Sequence, residues 1–482
     1  MKNLNIHINK ALFFIVGLSL FFTGCEKSLL ESPKQISEEN FYTTPSEVEA
    51  AVNAIYTPLR ADLMSNYIAT LECQSDWMYG RGSWSPLSNF QGLDDANITR
   101  VEGFWNSFYL AIRNANLVIL NSPEGDEYDA LIAEAKFLRA FSYFQLVRNW
   151  GDVPLRTEET MNDKDLARSP QQEVYQLIQT DLTEAANTLA ENASVSGRPT
   201  KWAAKTLLAD VYLQLGKYAE AAENSLEVTQ GNYTLVNVSD KEDFQYRVFG
   251  PDIISSTEEI FALKYARLPN QGNYILWISN HPSTKLFTSD GTGAYAVHGD
   301  ATNPNYLQWE DLDIRKQLWD KIDFGLGPNT LVSSKYVDPD ALDRGTAGND
   351  LPIYRLSDAL LIYAEASARG ENIVSLQSME ALNKVHRRAY GFAPNAVSTV
   401  DYNASEYSVE EFIDLIVKER GYEFMFEGKR WLELKRIGKV NDYIQLGKGK
   451  NVVEKHLLWP IPLSETNYNN AIDPVTDQNP GY

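Results

Sequence analysis

The chain is poor in cysteine, histidine and positive charge, and each shortage excludes something. Cys25 and Cys73 are the only cysteines among 482 residues. Cys25 reads as a processing site, argued below, so Cys73 alone is left. No intramolecular disulfide can then form, and stability must come from burial. Of five histidines one lies in the N-terminal segment, and His281, His298, His386 and His456 lack zinc spacing. The patterns HExxH, GxSxG and the P-loop are absent. No catalytic residue is assigned and the chain is read as a non-enzyme. Lysine and arginine number 43 against 65 acids, a net charge of −22. Binding a polyanion needs a local basic stripe to overcome that field, and there is none, so nucleic acid is not expected as a partner. Beyond the N-terminus no run approaches the ~20 apolar residues of a membrane helix.

What is present begins with Phe22-Thr23-Gly24-Cys25, which closes an apolar run from Ala11 to Phe22 preceded by Lys2 and Lys10. That is a secretory signal, too short to span a membrane. A cysteine at this place becomes the new N-terminus and carries acyl chains. Each buried CH2 adds roughly 0.8 kcal/mol of membrane affinity, so several chains tether the protein durably. Residues 1–24 are read as the signal, 25–40 as a polar tether and 41–482 as the folded body. Loss of 1–24 removes two lysines and no acid, leaving 41 bases against 65 acids, a net of −24.

Helical periodicity dominates several blocks. Ser46 to Leu63 opens on a capping signal and places Val48, Val52, Ile55 and Leu59 at three- and four-residue steps. Residues 104–121 continue with Phe104, Phe108, Ala111, Ala115 and Val118. From Ile132 to Trp150, Phe137, Phe141 and Phe144 share a face, and Gly151 with Pro154 supplies the stop. Ala203 to Thr229 breaks at Leu215-Gly216 and resembles a tetratricopeptide unit, with Tyr218 filling the gap above the turn. One such unit cannot bury its own face, so several must stack. Leu351 to Ala368 and Val409 to Arg436 predict further helices. In the latter, Glu419, Glu423, Glu427 and Glu433 alternate with bases and predict an internally paired helix.

Residues 65–100 and 240–350 are rich in Gly, Asn, Pro, Ser and aromatics without sustained periodicity. The exceptions are a strand at Glu259 to Tyr265 and a helical stretch around Asp313 to Ile322. Long irregular segments in a compact domain are usually functional or disordered, and the density of Trp and Tyr argues against disorder.

With these blocks in order, the chain resembles the SusD/RagB family of lipid-anchored proteins. The matching fragments include Asn40-Phe41-Tyr42, Arg113-Asn114-Ala115-Asn116, Ala133 to Ala140 leading to Trp150-Gly151-Asp152-Val153-Pro154, Tyr354-Arg355, Lys418-Glu419-Arg420, Glu427 to Trp431, Pro460-Ile461-Pro462 and Gln478 to Tyr482. The chain departs from the family at His386, where the family usually has Arg. Many surface-exported relatives carry several acids after the lipidated cysteine, whereas only Glu26 stands near it here. The resemblance implies a mainly α fold: a tetratricopeptide-like helical-pair scaffold (about 41–235 and 351–440) carrying an irregular, loop-rich ligand-binding subdomain (about 65–100 and 240–350). It also implies a protein of the outer membrane, lipid-anchored and facing the cell exterior. Such a protein captures an oligo- or polysaccharide and delivers it to a SusC-like TonB-dependent transporter packed on the helical side. The alternatives are a lipid-anchored polysaccharide hydrolase and a receptor for a non-sugar nutrient such as a peptide.

A sugar has an apolar face and polar edges, so its receptor needs flat aromatic platforms rimmed by polar groups. Trp77, Tyr79, Arg81 and Trp84 in the first irregular segment, and Tyr274, Trp277, Tyr295, Trp309 and Trp319 in the second, are the expected set. Gly80 and Gly82 are expected to keep the first loop open. Trp105, Trp150, Trp202, Trp431 and Trp459 fall in helical stripes or scaffold motifs and are expected in the core. No cofactor is expected. Asp338, Asp340, Asp343 and Gly345 have the composition of a calcium loop, but the oxygen spacing does not match the EF-hand pattern.

Overall fold

The computed structural model describes residues 41–60, 62–280, 297–343 and 345–482. Cys25 and Tyr295 lie outside them.

The helices that build the scaffold are α1 (Pro45–Tyr56), α2 (Asp62–Gln74), α3 (Asp95–Asn121), α4 (Asp126–Trp150), α5 (Gln171–Thr188), α6 (Lys201–Gln214), α7 (Tyr218–Thr229), α8 (Leu356–Glu371), α9 (Leu376–Ala389), α10 (Val409–Glu423), α11 (Arg430–Arg436) and α12 (Val440–Lys448). From α3 onward each helix packs on the next, α3 on α4, then α5, α6, α7, α8 and α9. Because α7 packs directly on α8, the 126 residues from 230 to 355 are an insertion into the stack. Gly216 makes the α6–α7 turn at φ +70°, with the Tyr218 ring 4.0 Å from where a Cβ would stand. Trp105, Trp150 and Trp459 meet edge to face at the scaffold's centre, with ring centroids 5.5 and 4.9 Å apart along the series.

Local signals shifted several boundaries. The cap of α1 is Thr44 rather than Ser46, because Pro45 suits the first helical position and Glu47 closes a capping box on Thr44. The expected helix at 351–368 begins as a strand, and that at 409–436 breaks after Glu423. There Phe426 (φ +56°) and Gly428 (φ +70°) turn the chain, and a Cβ on Gly428 would stand 3.2 Å from Ile68. The helical stretch expected around Asp313 to Ile322 is a 3-10 helix over Ile314–Leu318 that passes directly into a strand at Trp319–Lys321. Residues 65–100 are irregular only between α2 and α3.

In the scaffold β2 (Val153–Pro154) pairs antiparallel with β3 (Arg168–Ser169), and two further small sheets are built mainly from the insertion. In one, β4 (Glu259–Leu263) runs antiparallel to β8 (Leu351–Arg355). The other has the order β1 (Tyr79–Gly80), β5 (Val297–Asp300), β7 (Thr330–Ser333), β6 (Trp319–Lys321), antiparallel throughout.

Scaffold and insertion are locked by buried ions. Arg355 reaches Glu258 at 2.9 Å, Glu423 at 2.8 Å and Glu427 at 2.7 Å, Arg388 holds Glu258 at 2.9 Å, and Arg315 holds Glu419 at 2.7 Å. The acids of the 418–436 region are therefore paired mainly with bases from other elements, not within their own helix. His386, standing where the family usually has Arg, still pairs with Glu419 through Nδ1 at 3.1 Å.

Candidate functional site

The first loop is fixed at its root. Asp76 receives Nε and Nη2 of Arg430, both at 2.8 Å, and its carbonyl accepts Asn303 Nδ2 at 3.0 Å. The chain then turns inward, and Trp77 is only 6% exposed. Its ring meets Trp309 and Tyr422 edge-on at 5.5 and 5.4 Å, and Trp309 lies parallel to Tyr422 at 4.3 Å. The Trp309 indole N–H donates to Asp313 at 2.8 Å.

Trp84 and Trp319 are buried as well, at 5% and 7%. The Arg100 guanidinium covers Trp84 at 3.8 Å, and Trp319 Nε1 lies 2.9 Å from Met425 Sδ. Four of the expected platforms, Trp77, Trp84, Trp309 and Trp319, are thus core residues with no face open to a sugar. The physical reason is the shortage of long helices in this part of the chain. Without amphipathic stripes to supply apolar area, the large rings of the loops become its interior. Trp202 departs the other way. Expected in the core, it packs against the core but is only half-buried.

Tyr79, Arg81, Tyr274 and Trp277 remain half-exposed. Across the β1–β5 pair Tyr79 stands opposite His298, and their rings stack at 5.8 Å with a 22° interplanar angle. Burial pushes the Tyr79 phenol up and the His298 imidazole down. Arg81 lies 5.9 Å from the Phe324 ring and Lys448 lies 5.1 Å from the Tyr79 ring. Tyr274 and Trp277 form a second pair at 4.6 Å, at the start of the short helix Ile275–Ser279, which packs on both α2 and β5. His298 joins the surface without a signal in the sequence, because strand pairing brings it opposite Tyr79 from over 200 residues away, and Phe324 and Lys448 join it through tertiary contacts with Arg81 and Tyr79.

Gly80 closes the loop rather than opening it. A Cβ there would lie 2.3 Å from the Trp84 carbonyl oxygen, so only glycine lets the two backbones meet. The calcium composition at Asp338 also has a different use. Its carboxylate takes Arg267 at 2.8 Å and the Gly348 N–H at 2.7 Å. Cys73 is buried, and burial pushes its thiol up to about 12.

A stack of helical pairs interrupted by one loop-rich insertion with a half-buried aromatic surface defines a class of mainly α, tetratricopeptide-like scaffold folds. The sequence comparisons give that class a family. A model described as "Starch-binding associating with outer membrane" matches residues 30–213, and one described as "SusD family" matches residues 287–482. SusD-like protein P2 of Formosa agariphila is 26% identical over 525 residues, covering 97% of this chain and 99% of that one. Among solved structures, the SusD homolog from Bacteroides thetaiotaomicron superposes with a TM-score of 0.77 at 20% identity, covering 92% of this chain and 98% of its own. Surface glycan-binding protein A from Bacteroides fluxus gives 0.73 at 20% identity, covering 91% and 100%. The chain belongs to the SusD/RagB family. Among the described residues no helix is long and apolar enough to cross a membrane.

Proposed function

We propose that this protein is a non-catalytic glycan receptor, anchored by lipid at Cys25 on the outer face of the outer membrane. It captures an oligo- or polysaccharide and passes it to a SusC-like TonB-dependent transporter. The observation that carries the reading is the Tyr79–His298 stack across β1 and β5. It joins the two irregular segments, and Tyr79, His298 and the nearby Arg81 are half-buried rather than interior. Tyr274 and Trp277 add a second flat pair on an element that packs against β5. Tyr295 belongs to the same segment of sequence and completes the proposed set. Family membership and the names of similar proteins, one a starch-binding family description and one a surface glycan-binding protein, support the same reading.

Stacking one sugar face hides roughly 40–50 Å2 of apolar surface, or about 1 kcal/mol. A few such contacts with hydrogen bonds give an affinity of roughly millimolar to micromolar. Weak capture suits a protein that must release its ligand to a pore.

Affinity electrophoresis of the protein without residues 1–25, through gels holding neutral and anionic polysaccharides, tests the binding. Retardation by one polymer without release of reducing ends is expected. Release of reducing ends would instead make it a hydrolase, and retardation by none would remove the glycan reading. For delivery, the lipidated protein isolated from outer membranes in mild detergent should bring a β-barrel transporter with it.

A further inference from the structure

A groove of about 380 Å3 lies where the α5–α6 connection meets the insertion, away from the aromatic loops. That volume falls in the range of small-ligand pockets. Its wall includes Trp202, Tyr233, Asn192, Asn232, Ser255 and Ser256. Trp202 is half-exposed, whereas Trp105, Trp150 and Trp431, expected in the core alongside it, are almost fully buried. Gly231 lies alongside the indole, with the ring 3.7 Å from where a Cβ would stand. The Lys201 ammonium lies 4.6 Å from the indole centroid.

The polar groups divide into two kinds. The charges around the groove are already matched: Lys201 with Glu191 at 3.0 Å, Lys264 with Glu259 at 2.6 Å, and Arg198 with Glu134 at 2.7 Å. The Ser196 hydroxyl donates to the Ile254 carbonyl at 2.7 Å. By contrast, among the described residues no protein hydrogen bond engages the side chains of Asn192, Asn232, Ser255 or Ser256. Two aromatic rings, two free amides and two free hydroxyls, with no unmatched charge, are the complement of a ligand that is uncharged, apolar on one face and rich in hydroxyls. A charged ligand would have to break an existing ion pair to find a partner.

We propose that this groove is a second carbohydrate subsite, taking a neutral pyranose unit on Trp202 with its hydroxyls bonded to the Asn232 and Asn192 amides and to Ser255 and Ser256. The proposal rests on the glycan-receptor reading and adds to it a class of sugar and a second place of contact. Two weak sites on one protein raise the avidity for a polymer above that for a short oligosaccharide where one chain can engage both.

The test uses the full mature protein labelled with 5-fluorotryptophan, with the Trp202 resonance assigned by Trp202→Phe. Amylose, laminarin, galactomannan, xylan and polygalacturonate are titrated in turn and scored in parallel by affinity electrophoresis. A neutral polymer that retards the protein should shift the Trp202 resonance. Trp202→Ala should weaken its retardation at least threefold, and Asn232→Ala, a surface change that leaves the fold alone, should weaken it to a lesser degree. A Trp202 resonance that stays fixed at saturation, with retardation still dependent on Trp277, would overturn the second subsite and leave the receptor reading standing. A shift with polygalacturonate alone would overturn the neutral class. If no polymer retards the wild-type protein, both readings fall.

Discussion

Arg436 holds Glu365 with both terminal nitrogens, Nη1 to Oε1 and Nη2 to Oε2, each at 2.7 Å. The fork joins α8 to α11 deep in the scaffold, where neither side chain has appreciable exposure. Burial by itself would raise the Glu365 carboxyl, but Arg436, Arg369 and Arg420 outweigh it and hold it at about 2.

That depressed value sets the sign of an acid response. Between the ordinary 4.5 and about 2 the unfolded chain binds the proton that the folded chain refuses. The stabilisation from this carboxylate is therefore complete above pH 4.5 and lost as pH falls toward 2. Glu365→Gln should lower Tm markedly at pH 7, since removing one partner of a buried pair costs about 3–5 kcal/mol. Its deficit against wild type should shrink below pH 4.5. Parallel Tm-against-pH curves for the two proteins would refute this.

Glu72 should behave in the opposite sense. Burial is the leading cause that lifts its carboxyl to about 7, against the Gly428 N–H it accepts at 2.9 Å. A raised carboxyl stabilises the fold while protonated, and that contribution is lost as pH rises from 4.5 through 7. Glu72→Gln, which mimics the protonated form, should match wild type near pH 4.5 and exceed it above pH 7 by about 3 kcal/mol. Urea denaturation at pH 5 and pH 8 would show the two stabilities diverge, and a variant less stable than wild type at pH 8 would contradict it.

The loop tryptophans should divide by stability rather than by position in the sequence. Trp309→Ala and Trp77→Ala empty the three-ring cluster with Tyr422 and should each cost about 3–5 kcal/mol. Trp84→Ala should also lower Tm. Trp277→Ala should leave Tm nearly unchanged and weaken retardation in polysaccharide gels by about 2 kcal/mol, as a hot-spot aromatic does. Thermal melts run beside the gels decide it; a stable Trp309→Ala would return that ring to the list of surface platforms.

Gly80 and Gly82, two residues apart, form a pair of contrasting tests. Gly80→Ala drives a Cβ into the Trp84 carbonyl, so backbone must move and the β1–β5 pair with it. Stability and glycan affinity should fall together. Gly82→Ala meets nothing within 4 Å but sits at φ +57°, and should cost only about 1 kcal/mol with affinity retained. Equal effects from the two substitutions would show that the close approach at Gly80 does not shape the surface.

Much of the scaffold could be read from the chain. The stripe Phe137, Phe141, Phe144 did fall on a buried helix face, and the Gly216 turn with Tyr218 above it did join two packed helices. Such patterns are local, set by a 3.6-residue period and by backbone angles that favour glycine. The aromatic surface was legible only in part. Tyr79, Arg81, Tyr274 and Trp277 are half-exposed as a site requires, but four tryptophans with the same loop context are interior.

Composition, periodicity and motif order by themselves determined the helical scaffold, the family and the two segments in which loops replace helices, because each of these follows from residues near one another in the chain. Which loop rings face solvent was decided only by tertiary structure. Exposure depends on what packs against a ring, and here the partners are remote: Tyr422 closes over Trp309, Met425 lies against Trp319, and His298 stacks on Tyr79. A tryptophan face can pack on a sugar or on another ring, and only the fold settles which of the two it meets.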